Sequence, residues 1–96
     1  MKAYELIEKP ENWTQGAFAL SSKGTEVDFG ETNACCWCAL GALHKVYRMG
    51  SFKAVKTIAA KLPNPSDLRG WDVVIWNDAP ERTHAEVYNL LKELDL

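Results

Sequence analysis

Three cysteines stand within four positions of one another: Cys35, Cys36 and Cys38, in the run NACCWCALGAL at residues 33–43. Thiols so placed can serve three chemistries. Cys35 and Cys38 have the C-x-x-C spacing of a zinc or redox pair, but structural zinc asks for four ligands, commonly as two separated pairs. A second pair is missing, and the set would have to be completed by His84 and a carboxylate. The βαβ surroundings expected of a redox pair are missing too. We therefore expect no metal and no cofactor. The third chemistry is nucleophilic. A helix start favours thiolate over thiol. Cys36 or Cys38, with His84 as base and Asp78 or Asn77 to orient it, would follow the general Cys/His/Asx logic. Against it, free cysteine often acts as a small buried hydrophobe.

A second constellation is WNDAPERTHAEV, residues 76–87. Its functional reading is a small polar cleft in which Asn77, Asp78 and Arg82 lie beside Trp76 and hold an anionic or hydrogen-bonding ligand. Each residue also has a plain structural role. Asn77 and Asp78 form turns. Asp78 could cap a helix with Glu81, or pair with Arg82. Pro80 suits a helix start, and Thr83 with Glu86 makes a capping box. His84, in the first turn, is expected to face solvent.

These groups need elements to position them. Met1 to Lys9 reads as a short helix with Ala3, Leu6 and Ile7 on one face, stopped by Pro10. Trp13 follows in a turn and should lock that corner. GAFALSSKGTEVDF reads as a hairpin, with Phe18 and Leu20 alternating on one strand and Val27 and Phe29 on the other, and Gly24 in the turn. A lone hairpin must pack on helices. The cysteine run is read as the start of a helix capped by Thr32 or Asn33, apolar around much of its girth and ended by Gly50. Ala39, Gly41 and Ala42 would let another backbone approach it closely. Ser51 can cap the next helix, whose core face is Phe52, Val55, Ile58, Ala59 and Leu62. Pro63, Asn64 and Pro65 end it in a loop. WDVVIW, residues 71–76, fits either a strand or a helical turn. The last helix is clearest: Val87, Leu90, Leu91 and Leu94 repeat at helical spacing behind Thr83. The expected class is mainly α, with α+β as the alternative.

At 96 residues the chain is expected to be one domain. A chain this short buries roughly 60–65% of its unfolded surface. With 47% hydrophobic and 25% charged residues it is globular rather than disordered. No apolar run is long enough to span a membrane, and MKAYELIEKPENW lacks the core of a secretory signal. Three closely spaced cysteines suit a reducing cytoplasm. The net charge of −2 hides a division. Thr32 to Ser66 holds Lys45, Arg48, Lys53, Lys56 and Lys61 and no acid, while the remainder carries a net −7. Either these cations pair with the acidic ends or are solvated, or they form a face for an anionic partner. Sparse aromatic interleaving disfavours nucleic acid.

Three blocks in order, WTQGAFA (13–19), CWCALGAL (36–43) and WNDAPERTHAEV (76–87), give the chain a family likeness. It resembles an uncharacterised domain-of-unknown-function family of small bacterial and bacteriophage proteins. The resemblance implies a compact domain and no particular activity. The blocks could converge in space, as a hydrogen-bonded core lock or as a pocket. The expected function is a small accessory domain that binds a protein or a small anionic ligand, host-directed if phage-encoded. The alternative is a small cysteine- or Asn/Asp-dependent hydrolase or transferase.

Overall fold

The cysteine run does not begin a helix. In the computed structural model, which describes residues 1–63, 66 and 69–96, Ala34–Trp37 form a strand, and the helix starts only at Ala39. Burial deepens along the strand, from exposed Cys35 through half-buried Cys36 to buried Trp37, where the chain enters the core. Cys38 ends this run in an extended conformation and caps the helix through its own sulfur, which accepts the Gly41 amide at 3.3 Å. Thr32 and Asn33 therefore lie too far back to cap it.

The fold is mixed α+β. In chain order it has α1 (Ala3–Leu6), β1 (Ala19–Ser21), β2 (Glu26–Val27), β3 (Ala34–Trp37), α2 (Ala39–Tyr47), α3 (Ser51–Ala59), α4 (Arg69–Asp78) and α5 (His84–Glu93). Single 3₁₀ turns follow Lys9 and Tyr47. The strands make an antiparallel sheet ordered β2-β1-β3. The expected hairpin is present: Ala19 faces Val27, and Gly24 takes φ +77° in the turn. Its facing differs from expectation by one residue. Ala19 is the fully buried member, so Phe18 turns outward and is 46% exposed.

That one-residue difference has a steric cause. Residues Ala39 to Leu43 of α2 are buried on all sides, and the chain entering β1 crosses directly over them. The Phe18 carbonyl accepts the Cys38 amide at 3.2 Å. A Cβ on Gly41 would run into the same carbonyl oxygen and lie 3.0 Å from its carbon. Only small residues fit this crossing, so the core face of β1 is occupied by alanine. The close approach expected at Gly41 is thus realised.

Helices α1, α3 and α4 pack on α2, and α5 packs on α1. Ile7, Leu43, Ile58, Val73, Val87 and Leu91 fill the core. In α3 the buried face is Ala54, Val55, Ile58 and Ala59, with Leu62 just beyond it. Phe52, expected there, is 72% exposed instead. Met49, at the α2–α3 corner, is 99% exposed because α2 stops at Tyr47 rather than at Gly50. Ser51 does not cap α3; its hydroxyl lies 2.8 Å from His44 Nδ1. Asn64 and Pro65, expected in the loop after α3, lie outside the described residues. WDVVIW is helical. The β-branched run yields because Val73 and Asn77, one turn apart, are the two residues that α4 buries. On α5 the capping box forms as expected, with the Thr83 amide donating to Glu86 Oε1 at 2.9 Å and the Glu86 amide to Thr83 Oγ1 at 3.2 Å.

Gly41→Ala should destabilise the fold by roughly 1–3 kcal/mol or more, because backbone must move to admit one methyl group. A urea titration measures this; an unchanged midpoint would mean that β1 does not bear on α2.

Candidate functional site

Among the candidate nucleophiles, Cys38 is buried and Cys36 half-buried. Burial pushes the Cys38 thiol pKa up, and nearby Asp78 adds to this; the Gly41 and Leu40 amides oppose it without prevailing. The helix start was expected to favour thiolate, but desolvation outweighs it. His84 is half-buried rather than solvent-facing. Its Nε2 donates to the Ile7 carbonyl at 2.6 Å, and its ring stacks on Tyr88 with centroids 5.8 Å apart. Among the described residues no hydrogen bond joins His84 to a cysteine, and no three His, Cys, Asp or Glu side chains gather as metal ligands. The Cys/His pair is not brought together.

Asn77 occupies a different kind of place. It is fully buried. Its Oδ1 accepts the Trp13 indole N–H at 2.7 Å and the Ala39 amide at 2.9 Å. Its Nδ2 donates to the Thr14 carbonyl at 3.1 Å and to Asp78 Oδ1 at 2.9 Å. Two acceptor sites and two donor hydrogens are all used, the full capacity of a carboxamide. Ala39 is the first residue of α2, so Asn77 satisfies an amide that the helix cannot satisfy itself.

The surrounding residues tie off α4. Gln15 Nε2 donates to the carbonyls of Asn77 at 2.8 Å and Ala79 at 2.9 Å. Arg82 Nε donates to the Trp76 carbonyl at 2.9 Å, and its guanidinium lies 4.5 Å from the Trp76 ring centre. Arg82 pairs with Glu86 at 3.0 Å, not with Asp78. Asp78 sits at the end of α4, not ahead of a helix, so it makes no capping box with Glu81. Its Oδ1 accepts the Gly16 amide at 3.1 Å. Of the residues expected to hold a ligand, Trp76, Asn77 and Arg82 are thus largely engaged in closing the structure.

Asp78 also borders open space. A cleft of about 250 Å³ runs between the segment entering β1 and α4, lined by Gly16, Ala17, Phe18, Glu26, Cys38, Trp71, Val74 and Asp78. Trp71, Val74 and Asp78 follow the i, i+3, i+7 spacing of one helical stripe. Trp71 is 60% exposed, and Ile75, one turn on, is 56% exposed. Ile75 and Trp76 line a second hollow with Leu62, Pro63, Asp72, Ala79 and Arg82. Phe18, Glu26, Trp71 and Val74 were not among the expected site residues. The available signal was that a helical reading of WDVVIW puts Trp71 and Ile75 one turn apart, off the Val73–Asn77 face.

The sequence profile of a family of unknown function, DUF6197, matches residues 1–94. The chain belongs to DUF6197. No curated protein and no solved structure matches it. The three blocks that carried the likeness do meet in space in this DUF6197 member: Trp13 to Gly16, the start of α2, and Asn77 to Ala79 form one hydrogen-bonded lock, with the cleft alongside. Among the described residues no buried side-chain nitrogen or oxygen is left without a partner.

Asn77→Ala should strand the Trp13 indole, the Ala39 amide and the Thr14 carbonyl. At about 1–3 kcal/mol for each orphaned buried group, the loss should reach ~3 kcal/mol or more, read from the midpoint of denaturant unfolding. In the folded protein, Cys35 should react with iodoacetamide far faster than Cys38, followed by mass spectrometry of proteolytic fragments. Equal rates would show that Cys38 is open and ionised.

Proposed function

We propose that this chain is a binding module for a protein partner, and that the partner docks on the outer face of α4. One observation carries the reading: α4 buries Val73 and Asn77 while it turns Trp71 and Ile75 to solvent, with Phe18 across the cleft. Singly exposed apolar residues are ordinary, but two on one helical stripe beside an exposed aromatic form a patch of the kind that marks interaction sites. Tryptophan is also prominent among residues that dominate binding energy.

Of the two partner classes suggested by the sequence, a protein or a small anion, the chemistry of the cleft supports the protein. Its lining holds carboxylates and no lysine or arginine. The setting we envisage is a reducing cytoplasm, and the partner is a host protein if the gene is phage-borne. No helix among the described residues is long and apolar enough to cross a membrane.

Trp71→Ser combined with Ile75→Ser tests the proposal. Both positions are exposed, so stability should stay within about 0.5 kcal/mol for each substitution. Affinity capture from cells of the source organism, quantified by mass spectrometry, should enrich one or more proteins with the unaltered chain and lose them with the double variant. Equal enrichment by both would overturn the reading.

A further inference from the structure

We infer that the cleft between the segment entering β1 and α4 receives the cationic end of an arginine or lysine side chain carried by the protein partner. The inference rests on the binding-module reading and names the chemistry at its centre. Two aromatic rings, Phe18 and Trp71, line the cleft with Val74. Asp78 and Glu26 supply two carboxylates, and no lysine, arginine or histidine lines the same space. A cation is attracted both to an aromatic face and to a carboxylate, and its apolar stem can lie along the ring edges.

Asp78 is arranged for this. Its Oδ1 is held by the Gly16 amide at 3.1 Å and by Asn77 Nδ2 at 2.9 Å. Its Oδ2 has no hydrogen bond among the described residues, which leaves a fixed, oriented acceptor at the edge of the space. Because the buried Asn77 carboxamide sets that orientation, the carboxylate need not reorganise when a cation arrives. The cleft, at about 250 Å³, falls just under the roughly 300–1,000 Å³ of typical small-molecule pockets. It suits one side chain better than a whole cofactor. The five cations between Thr32 and Ser66 form no ion pair with any described acid of their own chain, so none of them fills this role internally.

The test uses three acetylated, amidated tripeptides with arginine, lysine or citrulline at the centre; citrulline keeps the shape of arginine without its charge. Each is titrated into the full chain while the Trp71 indole N–H and the Gly16 amide are followed by NMR. The arginine and lysine peptides should shift both signals at millimolar concentrations, and citrulline should bind about tenfold more weakly. Glu26→Gln, at an exposed position, should weaken the charged peptides severalfold without changing the melting temperature. Absence of any shift, or equal binding of citrulline and arginine, would overturn the inference. If the peptides fail while the Trp71/Ile75 variant still loses its partner, the cationic assignment falls and the binding module stands. If the charged peptides bind but the variant keeps every partner, the cleft takes a free organic cation, and the assignment to a partner's side chain is overturned.

Discussion

The carboxamide of Asn77 is the interaction on which the arrangement depends. A buried amide is tolerated only when its donors and acceptors are all paired, and the low dielectric around it makes each missing partner expensive. Here the partners come from Trp13, Thr14 and Ala39 as well as from neighbouring Asp78. Three segments distant in sequence are thereby held at one point: the turn before β1, the first residue of α2, and the end of α4. None can slide without breaking one of these bonds. Gly16, Cys38 and Asp78, each at or beside one of these points, line the cleft, so its shape follows from the lock.

Sulfur enters this arrangement as a structural atom. Cys38 closes the first turn of α2 with its thiol while Asn77 takes the first amide. A thiol is a weak acceptor, and in that buried position its neutral form is favoured. The polarity of the chain is organised otherwise. Five of its eleven cations lie along α2, α3 and the residues that flank them, and two carboxylates, Glu26 and Asp78, line the cleft.

Local signals in the sequence translated well where one element decided its own fate. The α5 capping box, the Gly24 turn and the crowded Gly41 are all set by nearest neighbours or by the absence of a side chain. Membership of a family of unknown function was legible in the sequence, and the three blocks, which could have converged, do so. What escaped was decided by contacts distant in sequence. The cysteine run has small and apolar residues that suit a helix or a strand; pairing of Leu20 with Cys36 in the sheet makes it a strand. WDVVIW has strand-like composition, yet burial of Val73 and Asn77 against α2 makes it helical. Asp78 and Arg82 looked like partners because they are four residues apart, but α4 ends between them and Arg82 turns back to a helix carbonyl. The cleft was the least legible part, because its aromatic walls come from residues 53 positions apart.

The crossing of β1 over Gly41 has a consequence for how this fold could diversify. Because Ala19 must face the helix, strand alternation obliges residue 18 to face outward whatever its identity. The α4 register fixed by Asn77 does the same for residue 71. Backbone demands therefore choose the positions that border the cleft, while leaving their side chains unconstrained by the core. Side chains at positions 18 and 71 can therefore change with no change to the scaffold, and the walls of the cleft change with them.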